Sequence, residues 1–135
     1  MIVADSSVWI DFFIGAASAE RAMLRKILRE DPLQLVVPDL VVFEVLRGFR
    51  EDRQQRLASQ AFAALDQQAV GGAEEARRAA ERYRRLRAAG ITVRSSIDVL
   101  VASYCIDRDL ILLQRDRDFL PFAEHFGLRL LQPLH

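Results

Sequence analysis

Ile2-Val3-Ala4 is a short run of apolar, strand-forming residues that breaks at Asp5, and two serines then lead into a renewed apolar pattern through Val8, Trp9, Ile10, Phe12 and Phe13. A buried strand that opens directly into a helix narrows the choice of fold more than any other feature of this chain, because it is the first half of a parallel βα unit. It also sets a carboxylate at the carboxyl end of a strand. In open parallel sheets this edge is where ligands and catalytic groups collect, since the loops there are ringed by helix N-termini and free of core packing demands.

The rest of the chain repeats the alternation. A short helix is expected around residues 9–14, ended by Gly15, and Ser18 caps a second running to about Arg29, with Ala22, Leu24, Ile27 and Leu28 on its apolar side. Residues 33–37 read as a second buried strand between Asp31-Pro32 and Pro38-Asp39. Asp39 then caps a helix to about Arg50, and residues 57–69 suggest another. After Gly71-Gly72, an alanine- and arginine-rich helix spans 73–89 around a seam of Ala76, Ala80, Tyr83 and Leu86, and Gly90 terminates it. Ser95 or Ser96 caps a nearly continuously apolar helix interrupted by Asp98 in its first turn. A strand at 110–113, a short helix at 120–126 and a last strand at 128–131 complete the chain. Strands alternating with helices in this way predict an α/β three-layer sandwich, a mostly parallel central sheet flanked by helices. At 135 residues the chain is expected to form a single domain, residues 1–135, since neither side of Gly71-Gly72 has enough strands for its own sheet.

Composition excludes several classes of function. Acids and bases balance at 19 each, so overall charge does not point to a nucleic-acid partner. The bases are uneven in kind, however: 18 are arginine and Lys26 is the lone lysine, which leaves room for local bidentate contacts with phosphate. One cysteine, Cys105, excludes an internal disulfide and reads as a small buried hydrophobe, while His125 and His135 lack company suggesting a zinc site or a catalytic base. No stretch reaches membrane-spanning length, and Met1 leads straight into the first strand without a signal peptide, so the expected location is cytoplasmic, with no membrane partner.

Four acids stand where this topology converges. Asp5 ends the first strand, Glu44 sits on the helix after the second, Asp98 opens a helix, and Asp116 follows the strand at 110–113. Each has a bland explanation taken singly. Asp5 and Asp98 suit helix N-termini, where a negative charge is worth about 0.3–1 kcal/mol. Asp116 and Asp118 suit an exposed turn. Glu44 resists such an account: Val41, Val42, Phe43, Val45 and Leu46 surround it, so its charge requires a partner, which is a proton, Arg47 one turn on, or a metal. Together the acids repel. Two unit charges about 4 Å apart cost on the order of 4 kcal/mol at an effective dielectric near 20, so such a cluster takes up protons or binds cations. Carboxylate oxygens without histidine or cysteine select hard ions, Mg²⁺ or Mn²⁺, which can activate water and stabilise charge on a phosphodiester.

Ile-Val-Ala-Asp-Ser-Ser-Val-Trp-Ile, Pro-Asp-Leu-Val-Val-Phe-Glu-Val-Leu-Arg-Gly, Ser-Ile-Asp-Val-Leu-Val-Ala and Leu-Leu-Gln-Arg-Asp-Arg-Asp-Phe resemble the successive acidic motifs of PIN-domain nucleases. Length and layout resemble the VapC toxins of bacterial type II toxin-antitoxin systems. The resemblance implies Mg²⁺-dependent endoribonuclease activity on cellular RNA, an antitoxin that blocks the cleft, and a homodimer, with Mn²⁺ a possible substitute ion. It implies Asp5, Glu44, Asp98 and Asp116 as metal-site acids, Asp5 and Asp98 the most direct ligands, and Ser7 as a supporting hydroxyl. Gln114 departs from the pattern, standing where threonine, serine or histidine is expected.

Arg47, Arg115 and Arg117 lie near the acids in sequence and are the candidate RNA contacts. The arginines of the 73–89 helix are read as a solvated face balanced by Glu74, Glu75 and Glu81, or as a further phosphate surface. Trp9 and Phe13 are read as core or as a groove for a partner helix, and Asp11 as a solvent-facing helix residue. Two other classes compete: a second Mg²⁺ phosphohydrolase or phosphoacceptor domain, for which Lys26 is badly placed, and a non-catalytic PIN-like binding module, which has no reason to retain four mutually repelling acids.

Overall fold

The computed structural model describes residues 1–133; His135 lies outside the described residues. Strand β1 (Ile2–Ala4) runs parallel to β4 (Ile111–Leu113), and β4 runs parallel to β5 (Arg129–Leu130). A second parallel pair, β2 (Val36–Pro38) with β3 (Asp66–Gln68), joins this sheet through a single bridge between Ile2 and Leu35. The strand order along the joined sheet is therefore β3-β2-β1-β4-β5, all parallel. Helices α1 (Ser6–Ile14), α2 (Ala19–Glu30), α3 (Asp39–Arg47), α4 (Asp52–Ala63), α5 (Ala73–Ala88), α6 (Ser96–Asp107) and α7 (Leu120–Phe126) flank it. No helix of the described residues is long and apolar enough to cross a membrane.

Burial explains the layering. Val3, Ala4, Val37, Leu112 and Leu113 are fully enclosed, as expected of parallel strands covered on both faces. Trp9 is buried edge-on against Phe62 and stacked on Phe13, so α1 and α4 share an aromatic cluster in which Trp9 is core and Phe13 packs half-buried against it. Helix α6 buries Val99, Val101, Ala102, Ser103, Tyr104 and Cys105, and its outer side is held to α5 by ion pairs of Arg82 and Arg78 with Asp107. Burial pushes the Cys105 thiol up to about 12, consistent with an inert hydrophobe.

Several boundaries move for physical reasons. Helix α1 begins at Ser6 rather than near Trp9, because Asp5 itself is the N-cap and accepts the Ser7 amide. The expected strand at 33–37 shortens, since Pro32 starts a 3₁₀ turn (Pro32–Gln34) that leaves Leu33 85% exposed. The helix expected at 57–69 starts earlier and stops at Ala63, and β3 follows it. That strand is polar and exposed along its length, so it carries no hydrophobic alternation and is held at the sheet edge by its backbone ladder to β2. On α5 the seam shifts to Ala79 and Leu86, with Ala76 and Ala80 facing solvent.

Candidate metal centre

The amide of Asp5 donates to the Leu113 carbonyl at 2.9 Å, which extends the β1–β4 ladder by one residue and fixes where the Asp5 side chain emerges. Asp5 is 3% exposed. Its Oδ2 accepts from Ser7 N (3.2 Å) and from Ser7 Oγ (2.6 Å), whereas its Oδ1 is buried with no hydrogen-bond partner. Desolvation raises its pKa against the lowering effect of the Ser7 and Ser6 hydrogen bonds, and the nearby charge of Asp116 adds to the rise.

Glu44 lies in the second turn of α3 and reaches the start of α1. Its Oε1 accepts from Ser6 Oγ at 2.9 Å and its Oε2 is 3.7 Å from Arg47, whose guanidinium also lies over the Phe43 ring. Burial raises the pKa of Glu44, Ser6 lowers it, Asp5 raises it and Arg47 lowers it. The Arg47 pair is long and its arginine is more than half exposed, so it only partly compensates the carboxylate.

Asp98 sits in the first turn of α6, where Ser95, not Ser96, is the N-cap and accepts the Asp98 amide. It is 7% exposed, and its pKa is pushed up to about 7, first by desolvation and then by the charges of Asp5, Glu44, Asp116 and Asp118. Asp116 caps a 3₁₀ turn (Arg117–Phe119), its Oδ1 accepting from the Asp118 amide at 2.9 Å.

Carboxylate oxygens of Asp5, Glu44 and Asp98 lie within 4.8 Å of one another, and so, in a second group, do those of Asp98, Asp116 and Asp118. Asp98 is common to both. For hard divalent ions at about 2.1–2.4 Å from oxygen, opposite ligands are about 4.2–4.8 Å apart, so the first group matches one coordination sphere. The unpartnered, buried Oδ1 of Asp5 points the same way, because a buried carboxylate oxygen without a donor is costly unless a cation meets it. The donor set fits a divalent metal.

Three residues here escaped sequence reasoning. Ser6, the neighbour of Ser7, serves Glu44 rather than Asp5; alternate residues at a helix start point in different directions, and the Ser-Ser pair was the available signal. Asp118 approaches Asp98 and Asp116, an Asp-x-Asp spacing that one 3₁₀ turn folds onto itself. Asp11, expected to face solvent, is instead buried at 6% exposure and ion-paired with Arg115 at 2.7 Å. Arg117 is exposed, and Gln114 presents a buried Oε1 without a partner. The arginines of α5 are largely matched by Glu74, Glu75, Glu81 and Asp107. His125 packs its ring near Phe126, away from any acid cluster.

The sequence profile of the PIN domain matches residues 2–124. The chain belongs to the PIN-domain family. Among its relatives, ribonuclease VapC11 of Mycobacterium tuberculosis is 31% identical over 119 residues, covering 88% of this chain and 89% of the relative. A VapC ribonuclease of Mycobacterium bovis matches with the same identity and coverage. Among solved structures, this PIN domain is similar to VapBC2 from Rickettsia felis bound to a promoter DNA fragment, with TM-score 0.75, 16% identity and coverage of 97% and 98% of the two chains. It is also similar to Mycobacterium tuberculosis VapC20, described as a sarcin-ricin loop cleaving toxin, with TM-score 0.68, 16% identity and coverage of 93% and 96%. At those identities the structural likeness establishes the PIN fold.

Proposed function

We propose that this PIN domain, spanning residues 1–135 as one unit, is a Mg²⁺-dependent endoribonuclease and the toxin of a type II toxin-antitoxin pair, with Mn²⁺ able to substitute. The observation that carries the reading is the meeting of Asp5, Glu44 and Asp98, with one buried Asp5 oxygen left without a donor. Asp5, Asp98 and Glu44 would hold the ion, and Asp116 would complete the site from the Asp98 side. Bound there, the ion supplies an activated water and neutralises charge on the scissile phosphodiester.

The protein's own groups supply the rest. Ser7 fixes Asp5 Oδ2, and the buried Oδ1, which has no donor, would be the oxygen offered to the ion. Asp98 holds a proton below about pH 7 in the metal-free protein and gives it up when a cation replaces it. Glu44, with one oxygen held by Ser6, would offer the other to the ion; as the water oxygen bonds to phosphorus and the ester P–O bond breaks, the water's proton would leave to solvent and the departing oxygen would take one from solvent. Exposed Arg47 and Arg117 flank this edge and offer contacts to the RNA backbone. The ribonuclease names of the VapC relatives favour RNA as substrate, and the VapBC assemblies of the structural neighbours favour an antitoxin partner. A homodimer and a cytoplasmic location complete the proposal.

Asp5→Asn and Asp98→Asn are the direct tests. Each should abolish RNA cleavage, growth inhibition and the heat of Mn²⁺ binding while leaving the circular dichroism spectrum intact. Full cleavage by either variant would sink the reading.

A further inference from the structure

Asp11 and Arg115 make the one ion pair among the described residues that ties α1 to the loop between β4 and α7. Asp11 is a buried carboxylate on the last turns of α1, and its Oδ2 takes Arg115 Nη1 at 2.7 Å and Ser18 Oγ at 3.4 Å. Ser18 is in turn the N-cap of α2, accepting the Arg21 amide at 3.0 Å. Three chain segments therefore meet at one carboxylate. Arg115 is also the residue immediately before Asp116. The other bonds of that loop are internal to it: the Asp118 amide to Asp116 Oδ1, and the Phe119 amide to the Asp116 carbonyl. These shape the turn, and fully buried Phe119 seats its end in the core beside α6; the Arg115–Asp11 pair is what ties the start of the loop, next to Asp116, to α1.

We infer that Arg115 is a positioning residue, anchored by Asp11, that holds Asp116 against Asp98, and that it is not an RNA contact. The inference rests on the proposed role of Asp116 in the metal site. Its physical basis is the burial of the Asp11 carboxylate: the 40% exposed Arg115 is its charge partner, and removing that guanidinium strands a buried charge. Arg115 Nη1 is committed to the buried Asp11 carboxylate at 2.7 Å, whereas Arg117, also exposed, makes no ion pair among the described residues and is the freer phosphate contact. Because Asp98 and Asp116 oxygens already lie within 4.8 Å, a small rotation of the loop changes the ligand geometry directly.

The test uses the full chain with Asp11→Asn, Arg115→Met, Arg115→Lys and the Asp11→Asn/Arg115→Met double variant, titrated with Mn²⁺ in a calorimeter and assayed on RNA. Asp11→Asn and Arg115→Met should each weaken Mn²⁺ binding by about 10- to 100-fold, the range for groups that orient metal ligands. The double variant should be no weaker than either single one, since both remove the same interaction. Arg115→Lys should keep most of the affinity that Arg115→Met loses, and KM for RNA should stay unchanged while kcat falls. A raised KM and a flatter salt dependence in Arg115→Met, with Mn²⁺ affinity intact and Asp11→Asn silent, would overturn the inference in favour of a phosphate contact. Amide hydrogen exchange at Asp118 and Phe119 in the metal-free protein decides the matter independently of any ion. Protection there should fall in Asp11→Asn; unchanged protection would overturn the inference, whereas a wild type that binds no Mn²⁺ would overturn only the metal-nuclease reading.

Discussion

Ser6 and Ser7 are chemically identical neighbours, yet one hydroxyl serves Glu44 and the other Asp5. Each bond stabilises the charged carboxylate and so opposes the rise in pKa that burial imposes. Ser6→Ala should therefore raise the proton affinity of Glu44 further and make protons stronger competitors for the ion. The midpoint of a pH titration of Mn²⁺ binding should move to higher pH in Ser6→Ala, and an unmoved midpoint would show that Ser6 is merely a helix-start residue. At this scale the sequence was partly legible. Glu44 was conspicuous because a carboxylate in apolar surroundings has few inexpensive explanations, whereas Asp5 and Asp98, each explicable as a helix-start acid, stood out only through the topology that brings them to one edge. Asp11 was not, because its neighbours Ile10, Phe12 and Phe13 look like one side of an amphipathic helix, and the guanidinium that buries it comes from the far end of the chain.

Elements with a strong period or a strong cap were readable, and those held by a partner strand were not. Ser18 caps α2 where the sequence places it, Ser95 is the one of the two candidate serines that caps α6, and the apolar run of α6 marks it as a buried helix packed on α5. β3 shows the opposite case: Asp66-Gln67-Gln68 has no apolar face, and only its parallel register with Val36, Val37 and Pro38 makes it a strand. The preceding helix explains its position, because Phe62 on the last turn of α4 inserts into the Trp9–Phe13 cluster and turns the chain toward β2. Phe62→Ala should cost about 3–5 kcal/mol of unfolding free energy. Denaturant unfolding monitored by Trp9 fluorescence measures it, and a loss under about 1 kcal/mol would mean that the aromatic cluster collapses to fill the space.

Over the whole molecule, the acids of the site set the direction of the pH dependence. Asp5, Glu44 and Asp98 all have folded-state pKa values raised above their ordinary range, Asp98 to about 7. Between about pH 4 and 7 the metal-free native state therefore binds more protons than the unfolded chain, so stability is full at the acid end and falls as pH rises. Asp107, held below the usual carboxylate range by hydrogen bonds and charge from Arg82 and Arg78, acts in the opposite sense, but only below about pH 4. In EDTA the Tm should be lower at pH 8 than at pH 5, and millimolar Mn²⁺ should restore it mostly at pH 8. Equal metal effects at the two pH values would show that the acids do not share a repulsive cluster.

The sheet itself is joined at its middle by one bridge, Ile2 with Leu35. Glu44 follows the β2 side of that joint, whereas Asp5, Asp98 and Asp116 belong to the side built from β1, β4 and α6. A cation held between Glu44 and Asp5 would act as a staple across the seam where the backbone ties the two parts of the sheet least, beside the core packing that already joins them.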